Sequence, residues 1–263
     1  MWELSTAHRF ALWPLMFLGE VAEIGRRLPA QIKEARERDD LYAVTNLSLV
    51  IRTFVRLADD EPERARRELR QVMDEWSQQG FHVQHMNRLF DEVQIDLYQG
   101  EGSAAWERVT AQWPALARSY LLRVQQVRIF LLHLRARAAL AAASAVAEPG
   151  PLLSAAERDA RLLWRERIAW AEALAQLVRA GVAMGRHDAG GARQLLEGAT
   201  GRLEAAGLRL HAAAARRRLG EQVAGSEGRR LVEQADAWME GQNVRRPDRM
   251  TALLAPGFSA LPS

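Results

Sequence analysis

The sequence predicts an all-α protein, an α-solenoid of antiparallel helical hairpins running through residues 1–263 as a single array. Three observations predict it. A helical phrase that opens at Leu41 restarts at Phe81, near Tyr120 and, after a break, near Trp170 and Leu208. Intervals of about 38 to 40 residues mark stacked hairpins, each too small to bury its own apolar face. Within each phrase the apolar residues recur three and four apart, the period of one helix face. No segment shows the sustained period-two alternation of β-branched residues that a strand needs.

The element order follows from these periods. Helices are expected at 4–18 paired with 21–38, at 41–57 with 61–79, and at 81–99 with 103–118. Further pairs are 119–147 with 152–167, 169–184 with 188–206, and 208–219 with 226–240, and a short helix at 247–254 closes the end. In 41–57 the apolar set Val44, Leu47, Ile51, Phe54 and Val55 is broad, as an inner helix touching several neighbours requires. In 61–79 the stripe is narrow, Ala65, Leu69, Val72 and Trp76, and Arg64, Arg66, Arg67, Glu68 and Arg70 form the solvated face. Asp60 with Glu63, and Ser154 with Glu157, have capping-box spacing, and Ser226 is placed to cap a later helix. Later stripes are Ala192, Leu195, Leu196, Ala199, Leu203 and Ala206, then Leu231, Ala235 and Trp238. Trp76, Trp106 and Trp238 read as packing residues of second helices. The run Ala147-Glu148-Pro149-Gly150-Pro151 is the strongest breaker and a candidate seam between subarrays, too short for a free linker.

Composition bounds the function. Hydrophobic residues are 48% and charged residues 26% of the chain, ordinary for a folded protein and unlike a disordered one. The pI of about 9.9 comes with a net charge of only +3. Lys33 is the single lysine among 36 basic residues, and arginine does not titrate near neutrality, so a small excess moves the pI far. Acidic residues are interspersed with the arginines, which argues for a GC-rich coding bias and against a nucleic-acid surface. With no cysteine there is no disulfide, thiolate metal site or cysteine nucleophile. Met1-Trp2-Glu3-Leu4 lacks a signal peptide's basic start. Arg123, Arg128, Arg135 and Arg137 interrupt the most apolar helix, so no membrane partner is expected and the expected compartment is the cytoplasm.

Several runs resemble a known family. They are Asp40-Leu41-Tyr42-Ala43, Asp59-Asp60-Glu61-Pro62-Glu63-Arg64-Ala65, Gly80-Phe81-His82-Val83-Gln84-His85, Gln94-Ile95-Asp96-Leu97-Tyr98, Leu132-His133-Leu134-Arg135-Ala136-Arg137-Ala138 and Leu254-Ala255-Pro256-Gly257-Phe258. Together they resemble the tetratricopeptide-like C-terminal region of large multidomain bacterial serine/threonine kinases. The resemblance implies a right-handed superhelix in a regulatory, non-catalytic context, and it transfers no active-site residue. The glycine-rich nucleotide loop, the His-Arg-Asp loop, Asp-Phe-Gly and Walker A are all lacking here. Any linked kinase activity therefore belongs outside this chain, which reads as a fragment or split part of a longer protein.

The candidate sites are weak as chemistry. His82 and His85 are spaced to share a helix face but need two further ligands to hold a metal. Asp59, Asp60 and Glu61 lack the alternating pattern of a calcium loop, and helix capping accounts for them. No Gly-x-Ser-x-Gly elbow occurs. Arg216-Arg217-Arg218 and Arg245-Arg246 are the sharpest basic clusters and could meet an anionic partner segment. No cofactor, metal or catalytic residue is expected. The polar residues of first helices, Asn46, Arg52, His85, Arg88, Arg123 and Gln126, are the candidates for lining a concave groove that binds a protein segment, a peptide or a small ligand. The alternative is a structural module that self-associates through the apolar N-terminal run from Phe10 to Leu18, without recognising a ligand.

Overall fold

The computed structural model describes residues 12–74, 76 and 81–258. Among them every regular element is helical. The first, α1, spans 12–18. It is followed by α2 (Val21–Glu37), α3 (Leu41–Leu47), α4 (Thr53–Ala58), α5 (Pro62–Asp74), α6 (Val83–Tyr98) and α7 (Gly102–Arg118). Then come α8 (Gln125–Ala143), α9 (Gly150–Arg165), α10 (Ala169–Gly185), α11 (Ala189–Ala205), α12 (Arg209–Gln222), α13 (Gly225–Gly241) and α14 (Pro247–Leu254). From α6 to α13 each helix packs on the next, the arrangement of stacked hairpins. Residues 4–11 of the expected helix 4–18, with Phe10 and Ala11 among them, and residues 75 and 77–79 of the expected helix 61–79 lie outside the described residues.

The stripes read from sequence are the core. Ala65, Leu69 and Val72 are buried on α5, Ala192, Leu196, Ala199 and Leu203 on α11, and Ala235 on α13. Trp76, Trp106 and Trp238 pack against this core. The Pro149 breaker joins α8 to α9 within one hairpin, and a continuous apolar cluster runs through α8, α9 and α10 from Ile129 and Leu140 to Leu163 and Val178.

The structure corrects four local expectations. The segment 41–57 is not one helix. It breaks at Ser48–Arg52, where Leu49 is extended (φ −81°, ψ 142°) and Val50 has φ 66° and ψ −58°. Leu41–Ala58 is the stretch of the described residues long and apolar enough by composition to cross a membrane, yet it is mostly buried in the chain and contains this break. Asp60 does not cap α5. It takes a left-handed φ of 56°, and its Oδ1 accepts from Tyr98 Oη at 2.9 Å and Arg249 Nη1 at 3.0 Å. Ser154 and Ser226 lie inside helices that begin at Gly150 and Gly225, because Pro149-Gly150-Pro151 and the left-handed Gly225 start those helices earlier. Side-chain caps form at Asp40, which accepts from the Ala43 amide, and at Asp188, which accepts from the Gly191 amide.

The fourth correction concerns the two ends of the array. The helix at 247–254 does not close the end. It folds back across the middle, packing on α6 and α12 with Met250 and Leu253 fully buried. Arg245 N donates to Ala58 O at 2.9 Å, and Arg218 Nε donates to Ala255 O at 2.9 Å. Gly181 admits the tail behind α14, since a Cβ there would lie 2.8 Å from Pro256 O. At the other end α1 also turns inward. Leu12 is fully buried, and Phe17 packs on Phe130 and Trp170 of α8 and α10. Gly19 makes this seat possible: its φ is 77°, and a Cβ would stand 2.8 Å from Leu210 Cβ and 3.1 Å from Trp238. The interior of the array is therefore filled from both ends.

Candidate functional site

The six side chains expected to line a groove do not share one surface. Asn46 is buried and its Nδ2 donates to Tyr42 O at 2.8 Å. Arg52 reaches Glu68 at 3.3 Å in an open cleft of about 1070 Å³ between α2 and α4. Burial draws the Arg52 guanidinium down from its ordinary range, opposed by the Glu68 charge. His85 and Arg88 share a depression over α6 and α7, where Arg88 pairs with Glu92 at 2.9 Å. The Nδ1 of His85 accepts from the His82 amide at 3.0 Å, so the histidine spacing serves the start of α6. Arg123 is exposed and stacks 4.4 Å from the Tyr120 ring centre. Gln126 is exposed at the rim of a cavity that the sequence did not reveal. Four of the five clustered arginines pair within the chain: Arg216 with Glu204, Arg217 with Asp236 at 2.8 Å, Arg218 with Glu221 at 2.7 Å and Arg246 with Asp248 at 2.8 Å.

That cavity lies where α1 meets α6 and α8, and it has two chambers. The outer one, about 190 Å³, is bounded by Trp13, Met16, Val50, Met86, Phe90 and Phe130, with Asn87 in its wall. The inner one, about 60 Å³, is separated from it by Met16, Phe90 and Phe130, which line both. Its far side carries Gln94, His133, Arg137 and His211 among Phe54 and Trp170. Phe130 is the hub of the aromatic wall. Its ring centre lies 6.0 Å from Trp13, 5.0 Å from Phe17, 6.4 Å from Phe90 and 5.6 Å from Trp170. Edge and tilted pairs of this kind contribute roughly 0.5–1.5 kcal/mol each beyond their buried area.

Helical spacing sets the polar end. His133 and Arg137 are one turn apart on α8, and Phe90 and Gln94 one turn apart on α6, so each pair points the same way. His133 faces His211 of α12 at 5.7 Å between ring centres. Arg137 Nη1 donates to Gln94 Oε1 at 2.9 Å and to Leu253 O at 3.0 Å. Its Nε, the Nε2 of His133 and the Nδ2 of Asn87 have no hydrogen-bond partner. Burial pushes His133 well below the usual histidine range, with the Arg137 charge adding to it, and takes His211 down to about 3 for the same two reasons. Burial also lowers Arg137 to about 9, still cationic at neutral pH. Both imidazoles are thus neutral beside a buried cation. The sequence did carry a signal for this site: His133 and Arg137 sit at i and i+4 inside the most apolar helix, where polar residues one turn apart mark an inward face.

Among the described residues no three His, Asp or Glu side chains are grouped to hold a metal ion. No family model, no curated protein sequence and no solved structure matches this chain.

Proposed function

We propose that this chain is a non-catalytic, ligand-sensing helical repeat region that takes a small apolar ligand into its interior cavity. One observation carries the reading. The inward side of the hairpins is occupied by α1 and α14 and retains an aromatic-lined chamber of about 190 Å³ beneath Trp13 and Met16. A dry cavity of that order is large enough for one aromatic ring or a short acyl chain. Ligand in this chamber would fix α1 against α6 and α8, and through Gly19 against α12. In a polypeptide joined to a kinase domain, as the family resemblance implies, that ordering is what a neighbouring domain would read.

The test is thermal unfolding of the full chain with small apolar compounds such as indole and hexanol. Occupancy at about 100 times Kd adds roughly 2.7 kcal/mol of stability. Val127, at the rim of the chamber and only partly buried, is the site for a filling substitution. Val127→Trp is expected to fold and to lose the ligand-induced rise. An equal rise in the variant, or none in the wild type, rejects the reading.

A second reading, recognition of a protein segment, is favoured by the cleft between α2 and α4. Lys33, Arg36, Arg52 and Arg56 line it together with Glu20, Glu23, Glu37 and Asp59, so a segment carrying both signs of charge would find partners there. Self-association through the N-terminal run has less support, because Leu12, Met16 and Phe17 already pack within the chain.

A further inference from the structure

We infer that the inner chamber receives the carboxylate of a small apolar acid, held by Arg137 with His133 and His211, while the acid's hydrocarbon body fills the outer chamber. The inference rests on the interior-ligand reading above and names its ligand class.

Arg137 carries an unbalanced charge. Arg137 is 3% exposed, and the acceptors of its Nη1, Gln94 Oε1 and Leu253 O, are both neutral. Among the described residues no carboxylate pairs with it. Three other buried ionic side chains are matched, and Asp91, which has no cation beside it, is pushed towards its neutral form by burial. Asp96 lies between Arg66 at 2.9 Å and Arg108 at 2.8 Å, and Asp159 holds Arg135 through two bonds of 2.6 and 2.7 Å. Arg218 has Glu221. Arg135 and Arg137 are two residues apart on one helix, and the first is paired while the second is not. A desolvated guanidinium without a counterion is strongly unfavourable, and an anion entering the chamber would reverse that.

The donors fit a carboxylate in number and kind. Arg137 offers Nε with no partner, and His133 offers Nε2 with no partner, both buried in the wall of the same chamber. A carboxylate has two oxygens and accepts bonds from both sides. The facing His211 can take up a proton as the anion binds, since the negative charge favours the imidazolium that burial otherwise disfavours. The chamber's size, about 60 Å³, suits a planar three-atom headgroup. Next to it the outer chamber is lined by Trp13, Val50, Met86 and Phe90, which suit hydrocarbon. Met16, unbranched and shared by both chambers, is the part of the partition able to turn aside and join them.

The probes are hexanoate and phenylacetate, each compared with its primary amide, in calorimetric titrations of the full chain. The acids are expected to bind at least about tenfold tighter than the amides, as a charge-assisted bond requires. In Arg137→Gln that preference should collapse, and in Arg137→Lys part of it should survive. The second measurement uses the wild type alone: the imidazole NMR signals of His133 and His211 should shift with the acids and stay in place with the amides. Amides binding as tightly as acids, with unmoved imidazole signals, would overturn the carboxylate inference and leave the interior-ligand reading standing. If neither acids nor amides bind, both fall.

Discussion

The backbone amide of Val50 donates to both carboxyl oxygens of Asp91, at 3.1 and 2.9 Å. The two residues are one repeat apart in sequence, and Val50 also lines the outer chamber. Val50 is β-branched and sits at φ 66°, ψ −58°, a region such side chains rarely enter. Backbone strain of this kind costs about 1–3 kcal/mol and persists where its surroundings over-determine it. Asp91, fully buried on α6, supplies that determination by satisfying the amide that the broken helix leaves open. Asp91→Ala is expected to lower stability by about 2–4 kcal/mol in urea unfolding, from an orphaned amide and released strain. Asp91→Asn keeps an acceptor and should cost less than half as much. Equal losses in the two variants would show that the amide contact is not what holds the kink.

Stability should peak near pH 6.5. Burial raises the Asp91 carboxyl to about 8, against the pull of the Val50 amide and the Thr53 hydroxyl and with a further push from Glu92. An unfolded aspartate titrates near 3.9, so between that pH and 8 the folded chain holds the extra proton. The Asp91 contribution is complete below about 3.9 and is lost as pH rises towards 8, at up to roughly 1.4 kcal/mol per unit. His133 and His211 act in the other direction, because their folded values are depressed. Their contribution is present above about 6.5 and is lost on acidification, as the unfolded chain takes up two protons. The falling limb above 6.5 therefore belongs to Asp91 and the limb below it to the histidines. Urea midpoints measured from pH 5 to 8.5 should show the maximum, and Asp91→Asn should flatten the alkaline side and steepen the acid side, where Asp91 no longer opposes the histidines.

Much of this architecture was legible because stacked hairpins are local. The boundaries of α7, α10, α11 and α13 follow from stripes such as Ala192, Leu196, Ala199 and Leu203, whose spacing depends on neighbours within a few residues. The break at Val50 was not legible, because the apolar run Leu47 to Val55 has a clean helical period and the competing interaction comes from Asp91, 41 residues away. The same holds for Asp60, which suits a cap by spacing and is instead drawn to Tyr98 and Arg249. The cavity was hidden for a third reason. Its wall joins residues of α1, α6, α8, α10 and α12, and nothing in the period of one helix says that the first helix turns into the interior.

The pair of Arg135 and Asp159 is expected to be the most sensitive ionic contact in the array. Asp159 is fully buried, and the Arg135 guanidinium is clamped between its two oxygens and the Trp113 ring, 3.5 Å from the ring centre. Removing the acid leaves a desolvated cation, so Asp159→Ala should cost about 3–5 kcal/mol. The double variant Arg135→Met with Asp159→Leu should recover much of this loss, because a packed apolar pair avoids both desolvation penalties. Recovery of none of it in urea unfolding would place the energy in the Trp113 contact and not in the charge pair.

Gly19 offers a test of how the two ends of the array are joined. The residue holds φ 77°, and the space where a side chain would begin is taken by Leu210 and Trp238. Glu20 beside it pairs with Arg209 at 3.3 Å, so α1 and α12 meet through one short stretch. Gly19→Ala adds a strained left-handed residue, about 1 kcal/mol, and forces Leu210 or the α1 turn to move, so a total loss of about 2–4 kcal/mol is expected. The loss should be local as well as global. Hydrogen exchange of the α1 and α12 amides should speed up more than that of α9, whose core with α8 and α10 does not touch the junction. Leu210 lines the inner chamber, so the same variant should also weaken binding of any ligand held there. Uniform acceleration across all helices would instead mean that α1 folds as one cooperative unit with the whole array.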